Sequence, residues 1–575
     1  MTAIPSGKRL RAALENIQRF IDERLPIGDA PGAAIGITAG EWMVGTLACG
    51  VADVSTDAPA TESMRFQIGS ISKSFAAILT MQETEVGHLD LNAPVADLVP
   101  WFTVRSRFAP ITLHHLLTHT SGLILGSDVA AEAEADVRAL RDTEAGFAPG
   151  THFFYSNDGY KLVGLVLEAV TGRRFPDLLT ERIFVPRGMS STLPTISAEP
   201  PPQAARGHER RTDRPSHRGD PLAVAPWLPW ESADGSIMST ASDMSAYARV
   251  LLRQGALDYP QHGHARLVDQ RSFERMVRPV IDDADDPGVS YGYGLTTREL
   301  DRRTIVGHTG SMIGFSSVLA IDRVADLAVV VLLNGFGDRW EIVRFALETM
   351  RAAMGGGKLP AVPPPPPDPV RVANVADFAG AYTIREAPAG GGAIEMANAA
   401  GDAGARTVEF VAQGEHLLLR RAGGDIVLEP DGEDCFLVPH SGFDRFWLRF
   451  GRRDGVVVEA FHGPVWMVNE RYTGPAEFDG PAEWRAFTGV YDSGDPWHPT
   501  MHVVLRKGRL WMLAPWLDNK EEELVPLGAG RHGGVEFRVG AREWLPTRVV
   551  FDEPRDGSSA RAVYDLAPFR RVAAL

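Results

Sequence analysis

Two rhythms of apolar residues run through the first 354 positions. Leu10–Leu25 (LRAALENIQRFIDERL) sets Arg and Glu at helical spacing among apolar positions, which predicts an amphipathic helix rather than a signal peptide. Ala33–Ala39 and Met43–Gly50 predict a hairpin turning at Gly40-Glu41. Ser70–Val86 predicts a helix with an almost wholly apolar middle, Phe75–Leu79, and hence one buried on most sides. Leu162–Val170 and Met244–Leu252 are further helix candidates, and Thr304–Val306, Ser316–Ile321 and Leu327–Leu333 are late strands. Strands at both ends with helices between them predict a sheet closed by the two ends of the domain.

The rhythm breaks at Gly355–Pro369 (GGGKLPAVPPPPPDP). Three glycines and five consecutive prolines can neither continue a helix nor join a ladder, so a semi-rigid spacer is expected. Beyond it, short alternating segments separated by Gly, Pro and Asp predict β structure. Phe378-Ala-Gly-Ala-Tyr382 recurs as Phe487-Thr-Gly-Val-Tyr491, 109 positions later. The recurrence suggests one β unit present twice. The expected organisation is a mixed α+β domain over 1–354, a linker over 355–370, and all-β barrel-like domains over 371–475 and 476–575.

Length agrees with this division, because 575 residues exceed what one core supports, about 250–300. A formal net charge of −16 argues against a nucleic-acid partner, which needs a basic face. Leu327–Leu333 is the longest strongly apolar run near the middle of the chain, far short of the ~20 residues that span a bilayer. No membrane partner is expected, and with basic residues but no apolar segment in Met1–Leu10, cytoplasmic placement is the default expectation. Cys49 and Cys435, the two cysteines, form neither a disulfide framework nor a metal cluster. His114, His115 and His119 lie close in sequence, but no carboxylate-bearing helix motif completes a zinc site, so no metal and no cofactor are expected.

Three short motifs carry chemistry. In Ser70-Ile-Ser-Lys73 the spacing places an amine one helical turn from a hydroxyl, where it can act as base once burial or a neighbouring cation tunes it. In Tyr155-Ser-Asn157 a phenol near a cationic amine can shuttle protons, and an amide two residues on can grip a carbonyl. The bland alternative is a loop before a helix capped by Asn157 or Asp158. His308-Thr309-Gly310, followed by Ser311, lies between strand candidates, with Gly307 and Gly310 leaving room for another backbone. An edge strand there would align an extended peptide-like substrate. Each motif is weak alone; together, in this order and 82 and 151 residues apart, they are specific.

The combination resembles the serine β-lactamase/penicillin-binding-protein-like hydrolases, in the branch of class C β-lactamases, DD-carboxypeptidases, D-aminopeptidases and esterases. Phe66–Ser72 (FQIGSIS), Ile111–Leu123 (ITLHHLLTHTSGL), Asp234–Asp243 (DGSIMSTASD) and Tyr291–Leu295 (YGYGL) are similar to that family too. The resemblance implies a β-lactamase/transpeptidase-like catalytic domain in which Ser70 forms an acyl-enzyme. It implies that Lys73 and Tyr155 share proton transfer and that Asn157 binds the acyl-side amide. The oxyanion would be held by the N–H groups of Ser70 and Ser311, with His308 lining the cleft beside Thr309 and Gly310. His308 stands where many members carry lysine, which weakens the case for an obligatory substrate carboxylate. By the same resemblance the two β units are those of D-aminopeptidases, where a barrel element shapes the cleft.

The sequence therefore predicts a serine hydrolase of a small amide, peptide or ester, D-aminopeptidase or D-amino-acid amidase-like. Carboxylesterase, DD-peptidase or β-lactamase activity, a cyclising acyl transferase, and a penicillin-binding sensor that acylates without turnover are the alternatives. The expected partner is a small-molecule or peptide substrate; oligomeric state is left open, a homodimer being one option.

Overall fold

The computed structural model describes residues 7–40, 42–128, 132–210, 213–257, 265–365, 368–387, 406–516, 520–530 and 533–575. Glu41 of the expected hairpin turn, Met1 to Ser6 of the N-terminus, and Pro366 and Pro367 of the proline run lie outside these. The chain divides into two compact units, one of residues 1–209 with 222–365, the other of 210–221 with 366–575.

In the first unit Gly32–Ala39 and Leu327–Leu333 pair antiparallel, from Ala33 opposite Leu333 to Ala39 opposite Leu327, so the two ends of the domain close the sheet as expected. Among the described residues this sheet has nine strands, running from Ala58–Pro59 through Trp42–Asp53, Gly32–Ala39, Leu327–Leu333, Phe315–Asp322, Arg303–Met312, Thr296–Leu300 and Val289–Tyr291 to Ile281–Asp282. The central strands are apolar without alternation because both faces are covered. On one face lie the helices Gly7–Arg24 and Arg339–Met354, with Phe20 stacked on Phe345 at 4.2 Å. On the other lies Ala241–Leu252, close enough that a Cβ on Gly36 would stand 2.2 Å from Ser245 Oγ and 2.6 Å from Ala241 O.

Three local expectations change. The helix expected over 70–86 begins at Ser72 and is preceded by a 3₁₀ turn, Gly69–Ile71, so Ser70 sits on the turn and Val86 is the C-cap. Arg303–Met312 is not an edge strand, since it pairs with Phe315–Asp322 over its second half. Its pairing with Thr296–Leu300 ends at Gly307, however, which leaves His308–Met312 unpaired on that side. The proline run is no free spacer at its start. Pro360, Pro363 and Pro364 carbonyls accept hydrogen bonds from Asn16 and Arg24 of the first helix at 2.9, 3.1 and 3.2 Å, while Leu359 and Val362 pack on the core. Proline lacks a donor but keeps its acceptor, so such docking leaves no prolyl N–H unpaired.

The second unit contains, among the described residues, a nine-stranded antiparallel sheet between Gly380 and Val468 and a closed eight-stranded barrel from Gly489–Asp492 to Ala567–Ala573. The repeated pentapeptides open these two structures in the same way. Tyr382 Oη donates to Phe378 O at 3.0 Å and Tyr491 Oη to Phe487 O at 2.8 Å, and both rings are fully buried. The fold is thus α+β followed by barrel-like β structure. No helix among the described residues is long and apolar enough to cross a membrane.

Candidate active site

Ser70 and Lys73 meet as the spacing predicts. Lys73 is fully buried, and its Nζ donates to Ser70 Oγ, Asn157 Oδ1 and Asp234 O, each at 2.9 Å. An ammonium has three N–H groups, and here each finds one uncharged oxygen. The turn bearing Ser70 is shaped by Gly69, whose φ of +52° and tight fit exclude a side chain: a Cβ there would lie 2.7 Å from Ser311 N. From the opposite side, a Cβ on Gly310 would lie 1.9 Å from Ile68 O, and Ser317 Oγ donates to that same carbonyl at 2.9 Å. The backbone for which Gly310 makes room is therefore the serine turn itself. Ser311, exposed at its surface, brings its N–H against that turn.

Asn157 opens the helix Asn157–Thr171, but the cap is Ser156, whose Oγ accepts from Gly159 N at 3.0 Å. Because neither Asn157 nor Asp158 caps, the Asn157 amide is free to turn toward Lys73. Tyr155, half-buried just before the cap, lies with its ring centroid 4.9 Å from Lys73 Nζ. The Tyr155 ring also stacks on His119 at 4.0 Å, and His119 Nδ1 accepts from Ser156 N at 3.0 Å. Burial pushes His119 well below the ordinary histidine range, with the charge of Lys73 adding to the effect. The three clustered histidines hold separate posts: His114 bonds Tyr293 Oη at 2.8 Å, His115 closes a capping box with Thr112, and His119 supports Tyr155.

His308 reaches the same place, its ring 6.4 Å from that of Tyr155. Its Nδ1 faces the Thr309 carbonyl, which only accepts, so Nδ1 carries the hydrogen. Nε2 then accepts from Tyr291 Oη at 2.8 Å, and both nitrogens are used. Burial pushes His308 down to about 3, against the hydrogen bond to Thr309 and helped by Lys73 and Arg339. The ring is neutral at physiological pH, so this position supplies no fixed cation. The cation beside the strand is instead Arg339, whose Nη1 donates to Gly310 O at 3.0 Å and lies 3.5 Å from Ser311 Oγ. Burial, with Arg298 nearby, lowers it to about 10, still charged at neutral pH.

Thus Ser70, Lys73, Tyr155, Asn157, His308, Thr309, Gly310 and Ser311 converge. The sequence reading missed Asp234, His119, Tyr291 and Arg339. The first three lie in the stretches DGSIMSTASD, LLTHTSGL and YGYGL, where similarity was visible but no role was; Arg339, at the start of an ordinary helix, carries no signal.

A family model described as Beta-lactamase matches residues 17–347. Penicillin-binding protein 4 of Amycolatopsis lactamdurans is 29% identical over 366 residues, covering 61% of this chain and 93% of the relative. A D-aminopeptidase of Cereibacter sphaeroides is 27% identical over 339 residues, 56% of this chain. The match spans only 60% of that relative's length, and 63% of the length of protein flp of Staphylococcus aureus. The octameric penicillin-binding protein homologue from Pyrococcus abyssi shares the fold with a TM-score of 0.52 and 23% identity, over 81% of this chain and 100% of that one. The D-amino acid amidase from Ochrobactrum anthropi SV3 does so with a TM-score of 0.51 and 22% identity, over 60% and 99%. Since the family model takes in more than half of the chain, including all three motifs and the turn, helices and strand that carry them, the chain belongs to the beta-lactamase family of serine-hydrolase-type proteins.

Proposed function

We propose that the protein is a serine hydrolase that cleaves a small amide, peptide or ester through an acyl-enzyme on Ser70, with D-amino-acid amides and short D-peptides as the favoured substrates. The observation that carries this is the position of Lys73 Nζ, 2.9 Å from both Ser70 Oγ and Asn157 Oδ1 and over the Tyr155 ring. Ser70 Oγ adds to the substrate carbonyl as its proton passes to the Lys73–Tyr155 pair. The tetrahedral oxyanion is held by the N–H groups of Ser70 and Ser311. Its collapse breaks the bond to the leaving amine or alcohol, which departs with that proton. Water then adds to the acyl-enzyme, returning Ser70 and releasing the acid. The Asn157 amide N–H binds the acyl side.

Substrate class follows from charge. His308 itself supplies no fixed cation for a substrate carboxylate, and the charged Arg339 beside the strand already donates to Gly310 O, which favours simple amides and esters over β-lactams. The D-aminopeptidase and the D-amino acid amidase among the related proteins support the choice of acyl group. The test is steady-state hydrolysis of D- and L-amino acid p-nitroanilides, p-nitrophenyl esters and a chromogenic cephalosporin. Turnover of the D-anilides above the L series is expected. Turnover of the cephalosporin alone would overturn the substrate assignment.

A further inference from the structure

A second buried ammonium lies behind the site. Lys161, on the same helix as Asn157, is fully buried, with Nζ 2.6 Å from Asp128 Oδ1, 2.7 Å from Asp136 Oδ2 and 3.1 Å from Asp158 Oδ1. These three carboxylates lie close enough together to share one metal ion, and the lysine ammonium occupies that place. The arrangement is deliberate in its backbone. Asp128 takes a φ of +49°, rare for a residue with a side chain, and a Cβ on Gly126 would stand 3.0 Å from Asp158 Oδ1. Trp230 covers the ammonium, its ring centroid 5.2 Å from Nζ, and its Nε1 donates to Asp234 Oδ1 at 3.3 Å. Asp234 is the residue whose carbonyl holds Lys73.

The other oxygen of Asp128 points to the active site. Asn157 Nδ2 donates to Asp128 Oδ2 at 3.4 Å, the long end of hydrogen-bond range, while Asn157 Oδ1 accepts from Lys73. A carboxylate only accepts and an ammonium only donates, so the two together permit one orientation of the amide and forbid its flip. In that orientation one N–H of Nδ2 is held by Asp128 and the other remains for the acyl group of a substrate. We infer that Asp128, kept in place by Lys161, is a positioning residue that locks the Asn157 amide in the orientation both Lys73 and the substrate require. This rests on the hydrolase assignment above.

The test uses the full-length protein with an activated ester, comparing wild type, Asp128→Ala, Asp128→Asn, Asn157→Ala and the double alanine variant. Asp128→Ala removes the acceptor but leaves Lys161 two carboxylates. It is expected to lower kcat by ~10- to 100-fold with KM changed by less than about threefold. Asp128→Asn keeps an acceptor oxygen and should recover most of the loss. The double variant should be no slower than Asn157→Ala, because Asp128 acts through that amide. A merely structural role would lower thermal stability alone; unchanged kcat in folded Asp128→Ala, or losses that multiply in the double variant, would overturn the inference. If Asp128→Ala does not fold, Asp128→Ser, too short to reach Asn157, replaces it with the same expectation. Failure of the underlying assignment looks different: wild type itself would then form no Ser70 adduct.

Discussion

Among the described residues of the first unit two lysines, Lys73 and Lys161, are fully buried, and their surroundings could hardly differ more. Lys73 donates to a hydroxyl, an amide oxygen and a backbone carbonyl, all uncharged. Lys161 is ringed by Asp128, Asp136 and Asp158. Burial alone would depress Lys161, but Asp128, Asp158, Asp234 and Asp136 more than reverse it and hold its proton well above the ordinary range. A lysine enclosed by carboxylates is a fixed charge, whereas Lys73 has three neutral oxygens as its hydrogen-bond partners. The contrast teaches that two equally buried amines are set apart by their partners, and on the proposed function that difference separates a reactive lysine from a structural one.

The contrast is sharpest if the two lysines are exchanged for methionine. Lys73→Met is expected to lower the acylation rate by at least ~1000-fold, measured by stopped-flow burst with a p-nitrophenyl ester. Its stability should fall by only about 1–3 kcal/mol, since neutral acceptors lose a donor. Lys161→Met should do the reverse in stability, losing about 3–5 kcal/mol in urea unfolding, because buried carboxylates are left uncompensated. Equal stability losses in the two variants would break the comparison.

A smaller effect lies in the pH dependence of stability. Burial raises the Asp158 carboxyl from its ordinary 3.8 to about 7, against the pull of Lys161. Between those values the folded state holds a proton that the unfolded chain has released, so this group's contribution to stability falls as pH rises through the window. Asp158→Asn should flatten that decline in urea midpoints taken from pH 4 to about 7; an unchanged slope would place the proton elsewhere.

The smallest effect concerns His308. Removing the Tyr291 hydroxyl with Tyr291→Phe should cost about 1 kcal/mol of stability and leave the imidazole neutral. Imidazole carbon shifts followed by NMR should show no His308 titration until well below neutrality, because burial pushes it down to about 3. A midpoint near that of free histidine would contradict its burial and hydrogen bonding.

Much of this site was legible because its chemistry is local. Ser70 and Lys73 are three residues apart, and Tyr155 and Asn157 flank one cap, so each pair needs only one turn of chain to be positioned. The closure of the sheet was legible for a related reason, since two uninterrupted apolar strands at the ends of a domain need each other's ladder. What stayed hidden depends on tertiary contact between ordinary residues. Lys161 is an unremarked charge on a helix until Asp128, 33 positions earlier, reaches it. Arg339 begins a helix like any other, yet it binds Gly310 O. The segment 210–221 belongs to the second unit, where Arg214 pairs with Asp220 at 2.6 Å and Asp444 at 3.1 Å, a partnership that no local pattern announces.

Intact-mass spectrometry of the protein quenched during turnover of a D-amino acid ester tests the central claim most directly. One acyl group added to the wild type, mapped by peptide fragmentation to Ser70 and absent from Ser70→Ala, is the predicted result. An adduct on another residue, or hydrolysis undiminished in Ser70→Ala, would contradict it.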